Sequence, residues 1–256
     1  MTAMVYDLQK ANMWKRISAW MFDIILTAIL AIGMAMLFSG LLGYDKTSRQ
    51  MDEIYDTYAT RYGVNFEISQ SDYQTLSQEE LQRYAAATDA MNADAQALKV
   101  YNQLVRLSLL VTTLGIFFAI LIWEFLIPLK LGDGQTLGKK IFGICLMRSD
   151  KVKVNNLQLF ARAVIGKFAI ETMIPVCIIG MIFWGAMGLV GPIILFGLLI
   201  AQCASLIATQ TNSPLHDLIA ATVVVDRNSQ MIFHSSEDLI EYQKQVAAEL
   251  AARATY

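Results

Sequence analysis

From Thr172 to Leu215 the chain carries no Asp, Glu, Lys or Arg. Trp184, Gly185, Gly188, Gly191 and Pro192 interrupt this stretch near its middle. A spanning helix needs about 20 mostly apolar residues, so the stretch reads as two membrane spans joined by a tight turn. Two more apolar runs lie upstream, at 17–43 and 107–129. The chain is 55% hydrophobic and only 16% charged, against about 25% charged in ordinary soluble domains. A membrane protein with four crossings is the reading that accommodates all of this.

Charge orients the spans. Between Tyr44 and Val105 there are ten acids and five bases, whereas 130–153 holds six bases and two acids. Lys and Arg near span ends mark the cytoplasmic side. Lys10, Lys15 and Arg16 precede span one, and the 130–153 cluster follows span two. Both belong inside, so the acidic segment lies outside and the chain is N-in, C-in. The first apolar run is far longer than the 7–15-residue core of a cleaved signal, so it reads as a retained span. Cys145, Cys177 and Cys203 have no metal-ligand spacing, and none lies in the outer segment. They read as three unpaired apolar thiols.

The predicted fold class is an all-α membrane protein. Four transmembrane helices form two hairpins, with an extracellular helical insertion and a small cytoplasmic β-rich segment. Residues 1–43 are a lead and span one, and 44–106 are an extracellular helical loop. Span two is 107–129. Residues 130–169 are a cytoplasmic Gly-rich, β-rich loop with an interfacial helix. Spans three and four occupy 170–210, and 211–256 form a cytoplasmic tail with a β-hairpin and a terminal helix.

The outer loop is not linker-like, having no Pro and seven of the ten tyrosines. Two helices are expected there, with a bend near Gly63–Asn65 and the second running toward span two. Ser77 with Glu80 has capping-box spacing. It serves either as a helical cap or as a ligand-capture domain. Downstream, Ile141–Arg148 reads as a strand, and 155–171 as an amphipathic helix lying on, then entering, the inner face. In the tail, Thr222–Asp226 and Met231–Phe233 flank Arg227-Asn228-Ser229, a hairpin pattern. The closing helix begins at Ser235 or Ser236 and puts Leu239, Tyr242, Val246 and Leu250 on one side.

Ionisable residues within spans are expensive and are functional-site hypotheses by default. Arg16, Ala19 and Asp23 share one helix face at i, i+3 and i+7. Arg16 can snorkel to the interface; Asp23 is too short and needs a partner, as a packing salt bridge or as an ion or proton site. Glu124 is a second carboxylate at a span end. Arg162 is a counter-ion for Asp23 or Asp217. His216 beside Asp217 can respond to pH near neutrality. Gly132–Lys139 resembles a phosphate loop only superficially, since Lys139 is followed by Lys140 and not by Ser or Thr. Nucleotide binding is rejected on that ground, and no cofactor, metal site or nucleic-acid partner is expected.

Three elements line up in order: Arg16-x-x-Ala19-x-x-x-Asp23 opening span one, the Gly134, Thr136, Gly138, Lys139 loop with Lys140 and Gly143 after span two, and Leu215-His216-Asp217 with Ala220–Val224 after the last span. Together with Arg162 they closely resemble the RDD family of bacterial membrane proteins, named for an arginine and two aspartates. Here these would be Arg16, Asp23 and Asp217. The resemblance covers about 1–43 and 107–227, with the long outer loop and the terminal helix as additions. It implies a multi-pass protein of the bacterial inner membrane with a suspected transport role; some members are associated with cation/proton exchange.

Two functions compete. In the first, a transporter moves a cation or small solute, with Asp23 in the path and Arg16 or Arg162 tuning it. Four spans make a small bundle, so a homo-oligomer in the lipid bilayer is expected. In the second, a non-catalytic scaffold or regulatory subunit uses the outer loop to bind another envelope protein. An enzyme is the weakest reading, because no nucleophile, base and metal set is visible.

Overall fold

In the computed structural model, residues 6–254 are described. Residues 1–5 of the expected lead lie outside them. The helices are α1 (Met13–Leu42), α2 (Tyr44–Tyr62), α3 (Gln70–Gln74), α4 (Gln78–Ala93), α5 (Ala95–Leu131), α6 (Leu137–Ile141), α7 (Asn156–Phe183), α8 (Val190–Ala208), α9 (Leu215–Ile219) and α10 (Ser236–Ala254). The strands are β1 (Ile144–Arg148) and β2 (Thr222–Asp226). Helices α1, α5, α7 and α8 are long and apolar enough to cross a membrane. The chain forms two compact units: one joins the chain up to Ala31 with the chain from Ile116 onward, and the other is Ile32–Gly115.

In the first unit β1 and β2 pair antiparallel, Ile144 opposite Asp226 and Arg148 opposite Thr222. Both faces of this ribbon are covered, which is why β1 reads as an unbroken apolar run and does not alternate. One face packs Ile144, Leu146 and Val224 with Ala19 and Leu159. The other packs Cys145, Met147, Val223 and Val225 against Leu8 and Ile232. The tail hairpin expected from the sequence is not formed. The turn after Asp226 exists, with Gln230 N–H donating to the Asp226 carbonyl at 3.1 Å, but Phe233 goes on to bond Lys151 and Lys153. The partner that β2 takes lies almost 80 residues upstream, and the short lead is its other neighbour: Ala11 N–H donates to Val224 and Asp226 N–H to Gln9. Residues 9–11 of the lead therefore run alongside β2. The strand expected from Ile141 starts at Ile144, because Thr136 caps α6 over the intervening residues.

The helix expected over 155–171 continues without a break, as the first half of α7. Residues Ala161–Met173 of α7 and Leu121–Leu126 of α5 are wound as π-helix. Backbone hydrogen bonds five residues apart show it directly, Ile174 N–H to the Ala169 carbonyl and Ile127 N–H to the Ile122 carbonyl. At about 100° per residue an ordinary helix puts Arg162 and Glu171 on opposite sides. The wider π turn brings residues five apart into register, so Arg162, Lys167 and Glu171 face one way. Of α1, only Ala19 and Asp23 are buried.

In the second unit α2 ends at Gly63, and α4 is capped by the Ser77–Glu80 box read from the sequence. Helix α4 does not run on into span two. Asp94 intervenes and caps α5, accepting from Gln96 N–H at 2.8 Å, so that helix begins at Ala95. The Tyr58 hydroxyl donates to the same carboxylate at 3.0 Å, tying α2 to the cap. Met51, Tyr58, Met91 and Ala97 form the core.

Cys145 is fully buried between the strands, and burial with the nearby Asp133 charge pushes its thiol up to about 12. The thiolate is the reactive form, so its fraction at neutral pH falls by about a thousandfold against an ordinary thiol. In a Cys177→Ser/Cys203→Ser background, maleimide labelling of native protein at pH 7 is expected to be negligible and to become rapid in denaturant. Rapid native labelling would contradict the two-sided burial of β1.

Candidate functional site

Asp23 is 4% exposed and lies where α1 passes the Gly-rich loop. Its Oδ1 accepts from Gly138 N–H and from Trp123 Nε1–H, both at 3.0 Å, and its Oδ2 from the Thr136 hydroxyl. Thr136 in turn accepts from Lys139 N–H. The loop motif is thus a seat for this carboxylate. A side chain at Gly138 would meet the Ala19 carbonyl at 2.5 Å, so only glycine lets α1 approach this closely. Several donors on one ionised group compensate much of its desolvation.

Arg16 does not pair with Asp23, contrary to one sequence reading. Its Nη1 reaches the Thr211 carbonyl at 3.3 Å. The two residues do share the face that lines the cavity described below. Nor does Arg162 pair with Asp23; Asp217, the other counter-ion considered, is its partner.

Arg162, 3% exposed, is the centre of a second and larger set. Its Nε donates to Asp217 Oδ1 at 2.7 Å, its Nη1 to Glu124 Oε2 at 3.0 Å, and its Nη2 to His216 Nε2 at 3.0 Å. A guanidinium only donates, so His216 Nε2 carries the lone pair and Nδ1 the proton. That Nδ1–H donates to Glu171 at 2.8 Å. Glu171 also accepts from Gln202 at 2.7 Å. Glu124 is 4% exposed and is met by Lys167 as well, with Lys139 at 3.7 Å. Helix α9 reaches this close because residue 166 is glycine; a side chain there would meet His216 Cβ at 2.5 Å.

The charges balance. Asp23, Glu124, Glu171 and Asp217 face Arg16, Lys139, Arg162 and Lys167, with His216 neutral between them. Burial lowers His216, the Arg162 charge adds to that, and Asp217 and Glu171 oppose it. Burial would raise Asp217, but Arg162 more than offsets it and holds the carboxyl well below the usual range. Burial brings Lys139 down to about 8, with Glu124 resisting.

A cavity of about 570 Å³ lies beside these groups, and Asp23, Glu124, Lys139, Arg162, Glu171 and Gln202 contribute to its wall. The site residues read from the sequence, Arg16, Asp23, Glu124, Lys139, Arg162, His216 and Asp217, all line it. Thr136 and Gly138 act one step back, as the seat of Asp23, whereas Gly134 lies against Leu146 and Val154. Glu171, Lys167, Trp123 and Gln202 were not singled out as site residues. An Arg-x₄-Lys-x₃-Glu spacing that fits a π turn was the signal for two of them. Among the described residues no group of three or more His, Cys, Asp or Glu is placed to hold a metal ion.

A family model described as RDD family matches residues 10–221. That interval contains every residue of both charge clusters. No curated protein and no solved structure matches the chain.

The lowered His216 sets a sign for acid stability. Its ordinary value is 6.5, so on acidification the unfolded chain takes up the proton first. The stability is present above about 6.5 and is lost as pH falls through the lower folded value. In detergent, the melting temperature is expected to drop between pH 7.5 and 5, and to be lower but flat in His216→Gln. A wild-type curve without slope there would contradict the neutral, lone-pair-accepting His216.

Proposed function

Because the chain belongs to the RDD family, we propose that it moves a cation or small solute across the bacterial inner membrane through the cavity beside Arg162. The observation that carries this reading is the void itself. A charge network serving only to pack helices would close up around its ions. Here about 570 Å³ is left open beside two span carboxylates, Glu124 and Glu171. Glu171 is the group we assign to the travelling ion. Its charge is matched by a neutral histidine and an amide, whereas Glu124 is met by three cations. Protonation of His216 and arrival of a cation at Glu171 oppose one another electrostatically, which is the coupling an exchanger needs. Asp23 has the separate task of holding α1 against the loop.

The N-in, C-in orientation follows from the Lys and Arg near the span ends. A second copy of the chain is the partner we assign to α1, whose apolar length is unburied within one copy. One observation favours another reading, a scaffold: Asp23 and Arg162 are each held by three hydrogen bonds, as a static lock would be.

Sealed proteoliposomes with a trapped pH-sensitive dye separate the two. With Na⁺, K⁺ or Li⁺ stepped outside, at least one cation is expected to drive proton movement in wild type. Glu171→Gln is expected to abolish it while eluting as a folded protein. An absence of proton movement with every cation would count against exchange and in favour of the scaffold.

A further inference from the structure

The second unit has a cavity of its own, of about 600 Å³, between α2, α4 and the loop at 65–67. Its chemistry differs from that of the charge cluster. Asp52, Tyr55, Asp56 and Ala59 stand at i, i+3, i+4 and i+7 on α2, and Tyr84, Thr88 and Met91 at i, i+4 and i+7 on α4. Each set is therefore one helix face turned toward the cavity. Phe66 sits between Tyr55 and Tyr84, edge-on to both, with ring centroids 5.5 and 5.2 Å away.

Three carboxylates lead the polar groups on this wall, beside the Tyr55 and Tyr84 hydroxyls and the Asn65 amide, which donate as well as accept. Asp52, Asp56 and Glu67 are exposed carboxylates. The Thr88 hydroxyl is already spent on the Tyr84 carbonyl at 2.9 Å, and Asn65 Oδ1 on Glu67 N–H at 2.9 Å. No Lys, Arg or His is among the lining residues. Two basic groups stand outside this wall: Arg61, over the Tyr58 ring, and Arg83, whose Nη1 is 3.6 Å from where a Cβ on Gly63 would lie. The cavity thus combines aromatic rings with a rim of three carboxylates.

Those two features select a ligand. Aromatic faces attract ammonium groups through the ring quadrupole, and methylene chains bury against the same surfaces. A bare metal ion would need several oxygens converging on one point, and no such group is formed among the described residues. A volume of this size is in the range of small-molecule sites and exceeds what a single compact ammonium fills. The carboxylates are also spread, two on one turn of α2 and the third across the cavity on the loop. We propose that this cavity binds an aliphatic di- or polyamine. The methylene segments lie along Tyr55, Phe66 and Tyr84, and the ammonium ends meet Asp52, Asp56 and Glu67. This site is independent of the transport reading, because none of its residues belongs to the charge cluster.

Isothermal titration of the full-length protein in a zwitterionic detergent, with spermidine as the probe, tests it. Saturable one-site binding is expected. Asp52→Asn/Asp56→Asn is expected to weaken it about tenfold, and Tyr84→Leu by several-fold, on the usual scale of exposed ion pairs and cation–π contacts. Circular dichroism melting checks that both variants remain folded. Three results would overturn the proposal: no saturable binding; an affinity unchanged in both variants; or displacement by Mg²⁺ at the same concentration as spermidine, which would reduce the site to a screening acidic patch. Tighter binding of a Lys-rich peptide than of spermidine would also overturn it, in favour of docking by another protein.

Discussion

One guanidinium holds this structure together. Arg162 bonds at once to Glu124 and Asp217, which are 38 and 55 residues away in sequence, and to His216. Isolating any of these charges from water would cost several kcal/mol. Sharing one planar, five-donor cation among three acceptors offsets that cost and fixes the angles at which the segments meet. The π winding of α5 and α7, the glycine under His216 and the short helix α9 are the local distortions that let the acceptors converge. The same balance of charge leaves His216 neutral, and so leaves a titratable group at the wall of a cavity within the spans.

Asp23 shows the same logic with neutral donors. The helix α1 has little side-chain burial of its own, so it is held by the carboxylate in its loop seat and by the lead along β2. Such an attachment is strong in few places and absent along the rest of the helix.

Much of this was legible in the sequence because the membrane simplifies the reading. The uncharged run at 172–215 and the two upstream runs gave the spans, and the Ser77–Glu80 spacing gave a cap. The cost of ions in lipid singled out Asp23, Arg162 and Asp217 before any coordinates. What was illegible has definite physical causes. Helical periodicity assumes about 100° per residue, so the π turns made Arg162, Lys167 and Glu171 look like part of a helix lying on, then entering, the inner face. Short β segments carry no label for their partner, so β2 was paired with its neighbour in sequence, whereas β1 had the better two-sided apolar fit. Arg16 and Asp23 do share a face, but a face is not a contact, and the loop supplied Asp23 with donors that the helix alone did not reveal.

The most direct test of the Arg162 account is a stability cycle in detergent. Arg162→Met leaves Asp217 buried without its counter-ion, whereas Glu124 keeps Lys139 and Lys167, and is expected to cost about 3–5 kcal/mol. Adding Asp217→Asn removes that stranded charge and is expected to restore most of the loss. If the two substitutions simply add, the second further destabilising the protein, Arg162 is not the counter-ion of Asp217 and the account is wrong.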